Sequence, residues 1–230
     1  MKQIKIMFLL LLIILSVGIA ASLSLKVSIG VGAYDALAQS ISFLSGIKVG
    51  TIGMIFNSSC IVGQFILLRK GFKIRHLLQL PLTILIGVVI NFFFYEVWAS
   101  ITIDSYILRV ILLIAALTMV AFALAIMLVL DVVTFPLEGF CMTLSKKTKW
   151  KFVYIRQSVD LLCILLVVLL TFGFSLSLTI REGTVIGMLL MGPLIGFFMK
   201  KIQPVLRKFD LIHEEEGEMV AANKDSVKVV

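Results

Sequence analysis

Four polar or ionisable side chains lie inside or next to long apolar runs of this 230-residue chain. Asp160 falls well inside one such run, and Asn57 falls near the start of another. Asp35 and Glu138 each stand between two apolar runs. An ionisable group inside a membrane costs roughly 2.5–3.5 kcal/mol on insertion scales, so these side chains are candidates for binding a cation or a polar solute.

Structural explanations stay open at each of these positions. Arg156 stands four residues before Asp160 on the same helix face, where a simple ion pair would account for both residues. Asp35 and Glu138 would each stabilise the start of a helix, because a negative charge there meets the positive end of the helix dipole. The functional alternatives are a central site containing Asp160 and Asn57, and a gating or substrate role for Asp35 and Glu138.

Asn91 and Lys26 are two further candidates for binding a solute or an ion. Asn91, like Gln64, could bind a solute or only hydrogen-bond a neighbouring helix. Lys26 ends the first apolar run and Asp131 ends the fourth, where snorkelling to the membrane interface is the simple alternative.

The sequence carries no pattern that is typical of an enzyme. It lacks a Ser/His/Asp order, metal-ligand spacing and a phosphate-binding loop with lysine. Its cysteines, Cys60, Cys141 and Cys163, form no Cys-x-x-Cys pair, and we expect them to be buried and reduced. We therefore expect no catalytic residues, no metal and no cofactor.

The composition is that of a membrane protein. Hydrophobic residues make up 60% of the chain and the mean hydropathy is +1.13, whereas soluble domains are about 45–50% apolar. The net charge is +8, but the basic residues punctuate the apolar runs, which argues against nucleic acid as a partner. The expected partner is the lipid bilayer, whose anionic cytoplasmic face would meet the basic residues.

The apolar runs predict an all-α polytopic protein with six transmembrane helices. These cover residues 6–25, 52–68, 77–98, 107–130, 152–172 and 184–199. We expect the first run to be retained and not cleaved as a signal peptide, because it stays apolar long enough to span. With both termini cytoplasmic, only four of the 21 Lys and Arg residues fall outside: Lys26, Lys48, Arg109 and Arg181. This bias predicts that orientation in a bacterial cytoplasmic membrane.

The two halves of the sequence resemble each other. A shift of 103 positions places Asp35 on Glu138 and Asn57 on Asp160, and the flanking apolar spans coincide. Three spans per half invert the second copy relative to the first, as in many secondary transporters. The predicted units are a first three-helix repeat at 1–98, a second at 99–201 and a polar cytoplasmic tail at 202–230.

Each half is predicted to carry a short amphipathic or re-entrant helix after its first span. Apolar residues recur there at helical spacing. They are Tyr34, Leu37, Ile41 and Leu44 in the first half, and Leu137, Phe140 and Leu144 in the second. Pro136 suits the first helical turn, with Thr134 near the cap position. Such short helices can enter a membrane only where protein covers their backbone polar groups.

The sixth span carries two G-x-x-x-G units. Their glycines are Gly183, Gly187, Gly192 and Gly196. This spacing favours close helix packing, which could involve a second copy or a membrane partner protein. Pro193, inside the second unit, could instead mark a kink at a binding site.

Three stretches of the sequence resemble the YczE/YyaS/YitT family of bacterial integral membrane proteins: SLKVSIGVGAYDAL, SGIKVGT and GTVIGMLLMGPLIGFF. The resemblance covers nearly all of residues 10–200. The chain departs from the family pattern at Ala33, where proline is expected, and at Glu138, where aspartate is expected. The resemblance implies the membrane fold, and the activity of that family is largely unassigned.

Taken with the inverted repeat, these features favour a carrier, either a permease or an exporter, for a small solute. The alternative is a non-transporting accessory or regulatory protein that acts through a protein partner. The small-residue sixth span and the acidic tail would then be contact surfaces.

Overall fold

The computed structural model describes residues 2–130 and 133–208, and this part of the chain is helical. The helices are α1 (Lys2–Val27), α2 (Ala33–Ser45), α3 (Val49–Leu68), α4 (Ile74–Leu77), α5 (Gln79–Phe92), α6 (Tyr106–Leu130), α7 (Pro136–Thr148), α8 (Phe152–Phe174) and α9 (Glu182–Lys208). A π-helical turn, Phe93–Val97, continues α5. Six of these helices are long and apolar enough to cross a membrane: α1, α3, α5 with its π turn, α6, α8 and α9. The predicted all-α fold with six long apolar helices is confirmed.

The last helix is longer than its apolar run. The prediction ended it at residue 199, whereas α9 continues to Lys208 through the first residues of the predicted polar tail. Ile202 and Leu206 lie four residues apart and are buried against the core that α1 and α6 form, so packing extends the helix beyond Lys200 and Lys201. Residues 209–230 and Asp131 lie outside the described residues.

Two helices are too short to cross a bilayer. α2 and α7 each contain 13 residues, which makes them about 20 Å long against a hydrocarbon thickness of about 30 Å. Asp35 and Glu138 lie in their first turns, and Pro136 opens α7, as predicted. Thr134 lies one residue before the cap residue, Phe135, and its hydroxyl accepts a hydrogen bond from Gln79.

The predicted apolar face of α2 is only partly buried. Leu37 is buried, but Leu44 is 43% exposed. The most enclosed residues include the small ones Ala33, Ala36 and Ser40, because α2 packs between two helices, α3 and α8. Small side chains allow close approach on both sides, so a single apolar stripe does not describe this helix.

The ends of α2 and α7 have the same hydrogen bonds 103 residues apart. The Ser42 hydroxyl donates to the carbonyl of Ile47 at 2.5 Å, and the Ser145 hydroxyl donates to that of Trp150 at 2.6 Å. Each bond links the last turn of a short helix to the chain that leads into the next long one. The two segments therefore fold in the same local way.

The same correspondence extends to the residue that ends each short helix. Gly46 ends α2 with φ 72° and Lys149 ends α7 with φ 61°. Glycine adopts this left-handed conformation without strain, whereas a residue with a Cβ atom pays about 1–2 kcal/mol.

Lys149→Gly should therefore stabilise the protein by about 1 kcal/mol, because it removes the Cβ from a left-handed position. The measurement is the free energy of unfolding in a mild detergent. Lys147→Gly is the matched control: it makes the same chemical change inside α7 and should destabilise by about 0.5–1 kcal/mol. Equal effects of both variants would contradict this account of the helix end.

The short helices pack across the two halves of the chain. α2 lies against α8 as well as its neighbour α3, and α7 lies against α3 as well as its neighbour α8. Other contacts join α1 to α5 and α6, α6 to α9, and α3 to α5. Four helices, α2, α3, α7 and α8, therefore meet in one part of the structure.

The turn before α2 and the first turn of α7 each bind a residue of the opposite half. The carbonyl of Ile29 accepts a hydrogen bond from the backbone of Gly183, at the start of α9, at 2.8 Å. The carbonyl of Pro136 accepts one from Gln64 at 3.0 Å. The Ile29 contact thus satisfies a carbonyl of the non-helical turn before α2 with a backbone donor from α9.

The glycines of α9 divide into two pairs. A Cβ atom on Gly183 would lie 2.7 Å from Leu113, and one on Gly187 would lie 3.6 Å from Leu117, so this pair packs closely on α6. Gly192 and Gly196 are exposed, and among the described residues no atom beyond their chain neighbours and the nearby backbone of α9 comes within 4 Å of a Cβ placed on them. Within this chain, therefore, Gly183 and Gly187 have the close-packing role that the sequence predicts.

Candidate functional site

Arg156 joins two of the predicted site residues. It points from α8 to the carboxylate of Asp160, one turn further along, and its Nε lies 3.8 Å from the Glu138 carboxylate of α7. The three side chains are 19–27% exposed. The ion pair of the simple explanation is therefore present, and it extends to a second helix.

In the first half, Asn57, the counterpart of Asp160, is hydrogen-bonded instead of ion-paired. Asn57 of α3 donates a hydrogen bond to the hydroxyl of Tyr34 at 2.9 Å. That hydroxyl donates to the carbonyl of Gly53 at 3.0 Å, and the Tyr34 ring packs on Phe56 with centroids 5.0 Å apart. Tyr34 of α2 thus holds the Asn57 side chain by a hydrogen bond, whereas Arg156 holds Asp160 by an ion pair.

The charges of this ion-paired group act on the carboxyl of Asp35, which belongs to the other half. Burial raises the pKa of Asp35 from its ordinary value of 3.8 to about 6; Arg156 opposes this effect, and Glu138 and Asp160 add to it. Burial likewise raises the pKa of Glu138, with Arg156 lowering it. We call Asp35, Glu138, Arg156 and Asp160 the charged cluster.

The charged cluster brings together carboxylates from three helices. Asp35 comes from α2, Glu138 from α7 and Asp160 from α8. Of the four leading candidates, these three lie in the charged cluster, and Asn57 lies next to it through Tyr34, whose neighbours include Asp35 and Glu138. One guanidinium therefore pairs with two of the three carboxylates, and an excess of acids favours a positively charged partner.

The raised pKa of Asp35 predicts a pH-dependent stability. The folded chain binds a proton at Asp35 more tightly than the unfolded chain, so the stability should fall as the pH rises from about 4 to about 6. Asp35→Asn should remove this part of the slope, measured as the melting temperature in detergent across the pH range. Asp104→Asn, the same change at an exposed loop position, is the control. A slope that persists unchanged in Asp35→Asn would refute the assignment.

The three cysteines are buried free thiols, as predicted. Cys60 and Cys141 pack together with Leu137 and Ile155, and Cys163 packs with the residues around α2. Within residues 2–130 and 133–208, no group of three or more His, Cys, Asp or Glu side chains is arranged to hold a metal ion. The thiols act here as small apolar side chains.

Asn91 and Lys26 lie at other places in the fold. Asn91 of α5 accepts a hydrogen bond from the backbone of Gly50 at 2.8 Å and donates one to the hydroxyl of Thr51 at 3.0 Å. Lys26 donates to the carbonyl of Ala99 at 3.3 Å. Asn91 therefore hydrogen-bonds a neighbouring helix, which is the structural alternative given for it above. Lys26, at the end of α1, binds a loop carbonyl.

A second polar group joins α3, α5 and the start of α7. Gln64 is fully buried; its amide donates to Gln79 at 2.9 Å as well as to Pro136. Gln79 in turn donates to Thr134 at 3.3 Å. A Cβ atom on Gly139 would lie 3.0 Å from Gln64, so this glycine leaves room for the amides. The group holds helices together, as one of the two alternatives for Gln64 proposed.

Sequence reasoning missed two participants. Tyr34 was assigned to an apolar face, but its hydroxyl bonds Asn57 and Gly53. A tyrosine one residue before a candidate acid was a usable signal, because a buried phenol needs a polar partner. Gln79 gave a weaker signal, since it stands at the edge of an apolar run.

Comparison with known proteins gives a match to a protein family. A family profile described as a family of unknown function (DUF6198) matches residues 2–200, which include α1 to α8 and most of α9. No curated protein and no solved structure matches the chain. The resemblance to the YczE/YyaS/YitT family stays a prediction.

Proposed function

We propose that this chain, which belongs to the DUF6198 family of unknown function, is a carrier that moves a small solute across a membrane. Its six long apolar helices make it a multi-pass membrane protein. The observation that carries the proposal is the charged cluster. Ionisable groups within a helical membrane protein are costly and typically mark ion or substrate pathways.

The short helices support a carrier because they place the charged cluster at a junction of the two halves. Asp35 and Glu138 stand in the first turns of α2 and α7. Carriers often form their binding sites from broken or short helices whose ends face the ligand. Here the solute would bind between α2, α3, α7 and α8.

The two halves are proposed to be inverted repeats. Support comes from the reciprocal packing of α2 on α8 and α7 on α3, and from the hydrogen bonds of Ser42 and Ser145 that repeat at the same offset as the sequence. A two-fold relation in the membrane plane would generate both features. It would also let the two halves rock about a fixed site, which is how many carriers alternate.

The proposed orientation has both termini in the bacterial cytoplasm. The end of α7, with Lys146, Lys147 and Lys149, would then face the anionic inner leaflet, whereas the end of α2 carries no basic residue in its last turn. The repeated element would thus present opposite ends to opposite sides of the membrane.

The test of a carrier is access to the same position from both sides. In a chain whose cysteines are replaced by alanine, Asn57→Cys is treated with an impermeant maleimide in intact cells and in inside-out vesicles. A carrier makes position 57 reactive in both preparations. Ser45→Cys, at the exposed end of α2, is the control and should react from one side only. Reaction of position 57 from one side alone, or from neither, would refute the proposal.

An accessory role is the second candidate. The exposed Gly192, Pro193 and Gly196 of α9 form a small-residue surface without neighbours among the described residues. Such a surface suits close contact with another membrane helix. Co-purification of one stable partner, lost on replacing Gly192 and Gly196 by leucine, together with one-sided labelling of position 57, would favour this function.

A further inference from the structure

The loop between α8 and α9 holds the first half of the chain by side-chain hydrogen bonds. The Thr179 hydroxyl donates to the carbonyl of Ala36 at 3.1 Å and bonds the Ser40 hydroxyl at 2.9 Å. Ser40 is fully buried and Thr179 is 6% exposed, so water does not compete for these bonds. Arg181, two residues further on, donates to the carbonyl of Ser28 at 2.8 Å. We call the bonds of Thr179 to Ala36 and Ser40 the Thr179 contact.

Two buried amides hold the second half of the chain in a related way. The Gln64 amide donates to Gln79 at 2.9 Å and to the carbonyl of Pro136, the first residue of α7, at 3.0 Å. Gln79 donates to the hydroxyl of Thr134 at 3.3 Å. The two amides belong to the first half, whereas the residues that they bind, Thr134 and Pro136, belong to the second. We call these bonds the Gln64 contact.

The two contacts lie at opposite ends of the long helices. The Thr179 contact lies where α1 and α8 end and α9 begins. The Gln64 contact lies where α3 and α6 end and α5 begins, because Gln64 is four residues from the end of α3 and Gln79 opens α5. When each of the six long helices crosses the membrane once, these two sets of ends fall on opposite sides. In the proposed orientation the Thr179 contact is outer and the Gln64 contact is inner.

Each contact adjoins an acid in the first turn of a short helix. Asp35 directly precedes Ala36 in α2, and Glu138 stands two residues after Pro136 in α7. Loss of either contact would therefore free the beginning of one short helix from the opposite half. The net free energy of a neutral hydrogen bond is small, because water replaces the partner when the groups separate. Such contacts can break and form again reversibly.

We propose that the Thr179 contact is the outer gate and the Gln64 contact the inner gate of this carrier, an inference that rests on the proposed function. One gate opens while the other stays closed. Opening of the outer gate separates loop 176–181 from α2 and lets water reach Asn57 from the outside. Opening of the inner gate separates α7 from Gln64 and lets water reach Asn57 from the inside. Both contacts are formed in this structure.

The test compares the rates at which an impermeant maleimide reaches position 57 from each side. It uses the chain whose three cysteines are replaced by alanine and that carries Asn57→Cys, in intact cells and in inside-out vesicles. Thr179→Val keeps the shape of the side chain but removes both hydrogen bonds. It should raise the ratio of the outside rate to the inside rate about fivefold. Gln64→Met, which removes the inner bonds, should lower this ratio.

Thr171→Val is the matched control for Thr179→Val. The buried Thr171 hydroxyl has no hydrogen-bond partner among the described residues, so the same chemical change breaks no contact there. This variant should leave the ratio of the two rates unchanged.

A cross-link tests the outer gate without weakening the fold. Ser40→Cys together with Thr179→Cys puts two thiols where the hydroxyl oxygens lie 2.9 Å apart. Copper phenanthroline should oxidise them to a disulfide, which holds the outer gate closed. Reaction of position 57 from the outside should then be lost, and reaction from the inside should remain. The same oxidant applied to the chain with Thr179→Cys alone is the control and should leave both reactions.

Two outcomes would overturn the gates. One is a ratio that Thr179→Val and Gln64→Met leave unchanged or shift in the same direction. The other is a reaction from the outside that survives the cross-link. Either outcome leaves the carrier proposal standing when position 57 of the parent chain reacts from both sides. Reaction of the parent chain from one side alone would instead refute the carrier and, with it, the gates.

Discussion

Arg156→Gln should destabilise the folded protein by about 2–4 kcal/mol. We expect this loss to exceed that of any other substitution in α8 that replaces a charged side chain by a neutral one. Glutamine removes the cation that pairs with Glu138 and Asp160, and leaves the repulsion between these carboxylates uncompensated. The loss should be larger at alkaline than at mildly acidic pH, because protonation of the carboxyls relieves the repulsion. The measurement is the free energy of unfolding in a mild detergent at both pH values.

A second variant tests whether charge repulsion, and not a general loss of helix stability, causes the effect of Arg156→Gln. Adding Asp160→Asn to Arg156→Gln removes one of the repelling acids and should recover part of the stability. Arg207→Gln is the matched control, since Arg207 is exposed in the last turn of α9. If the double variant were less stable than Arg156→Gln, or if the loss did not depend on pH, the charge-based account would be wrong.

Gly50→Ala should cost about 1–3 kcal/mol of stability by overpacking the crossing of α3 and α5. A Cβ atom at position 50 would overlap the carbonyl oxygen of Gly87 and lie 2.7 Å from Oδ1 of Asn91. The helices would have to separate, and the hydrogen bond from Gly50 to Asn91 would lengthen or break. Thermal unfolding of the purified protein measures the effect.

Gly173→Ala is the control for the crossing. Gly173 lies near the end of α8, and nothing comes within 4 Å of a Cβ built there. The same change should therefore alter stability by less than about 0.5 kcal/mol. Equal losses at positions 50 and 173 would show that helix propensity, and not the crossing, sets the cost.

Much of the fold follows from local patterns in the sequence. Continuous apolar runs of sufficient length predict the six long helices, because the membrane thickness fixes the number of residues. The turn signals and the first-turn acids at Asp35 and Glu138 predict α2 and α7. The end of α9 was not predictable in this way, since Ile202 and Leu206 become helical through contacts with distant parts of the chain.

The candidate site was predictable in its residues but not in its arrangement. Asp35, Glu138 and Asp160 were selected because ionisable groups are expensive in a membrane. That Arg156 joins two of them, and that Tyr34 holds Asn57, depends on how α2, α7 and α8 pack. Such contacts between residues far apart in sequence leave no periodic pattern. The same limit explains why the second pair of glycines in α9 was expected to pack like the first.

The central claim, that the two halves have opposite orientations in the membrane, is tested most directly by side-specific thiol labelling. Ser45 and Thr148 end α2 and α7, are both exposed and occupy corresponding positions in the two halves. Each is replaced by cysteine, one at a time, in a chain whose three buried cysteines are replaced by alanine. The account predicts that an impermeant maleimide reaches position 45 in intact cells and position 148 only after the cells are opened. Labelling of both positions from the same side would contradict the inverted repeat and, with it, the proposed rocking of the two halves about a fixed site.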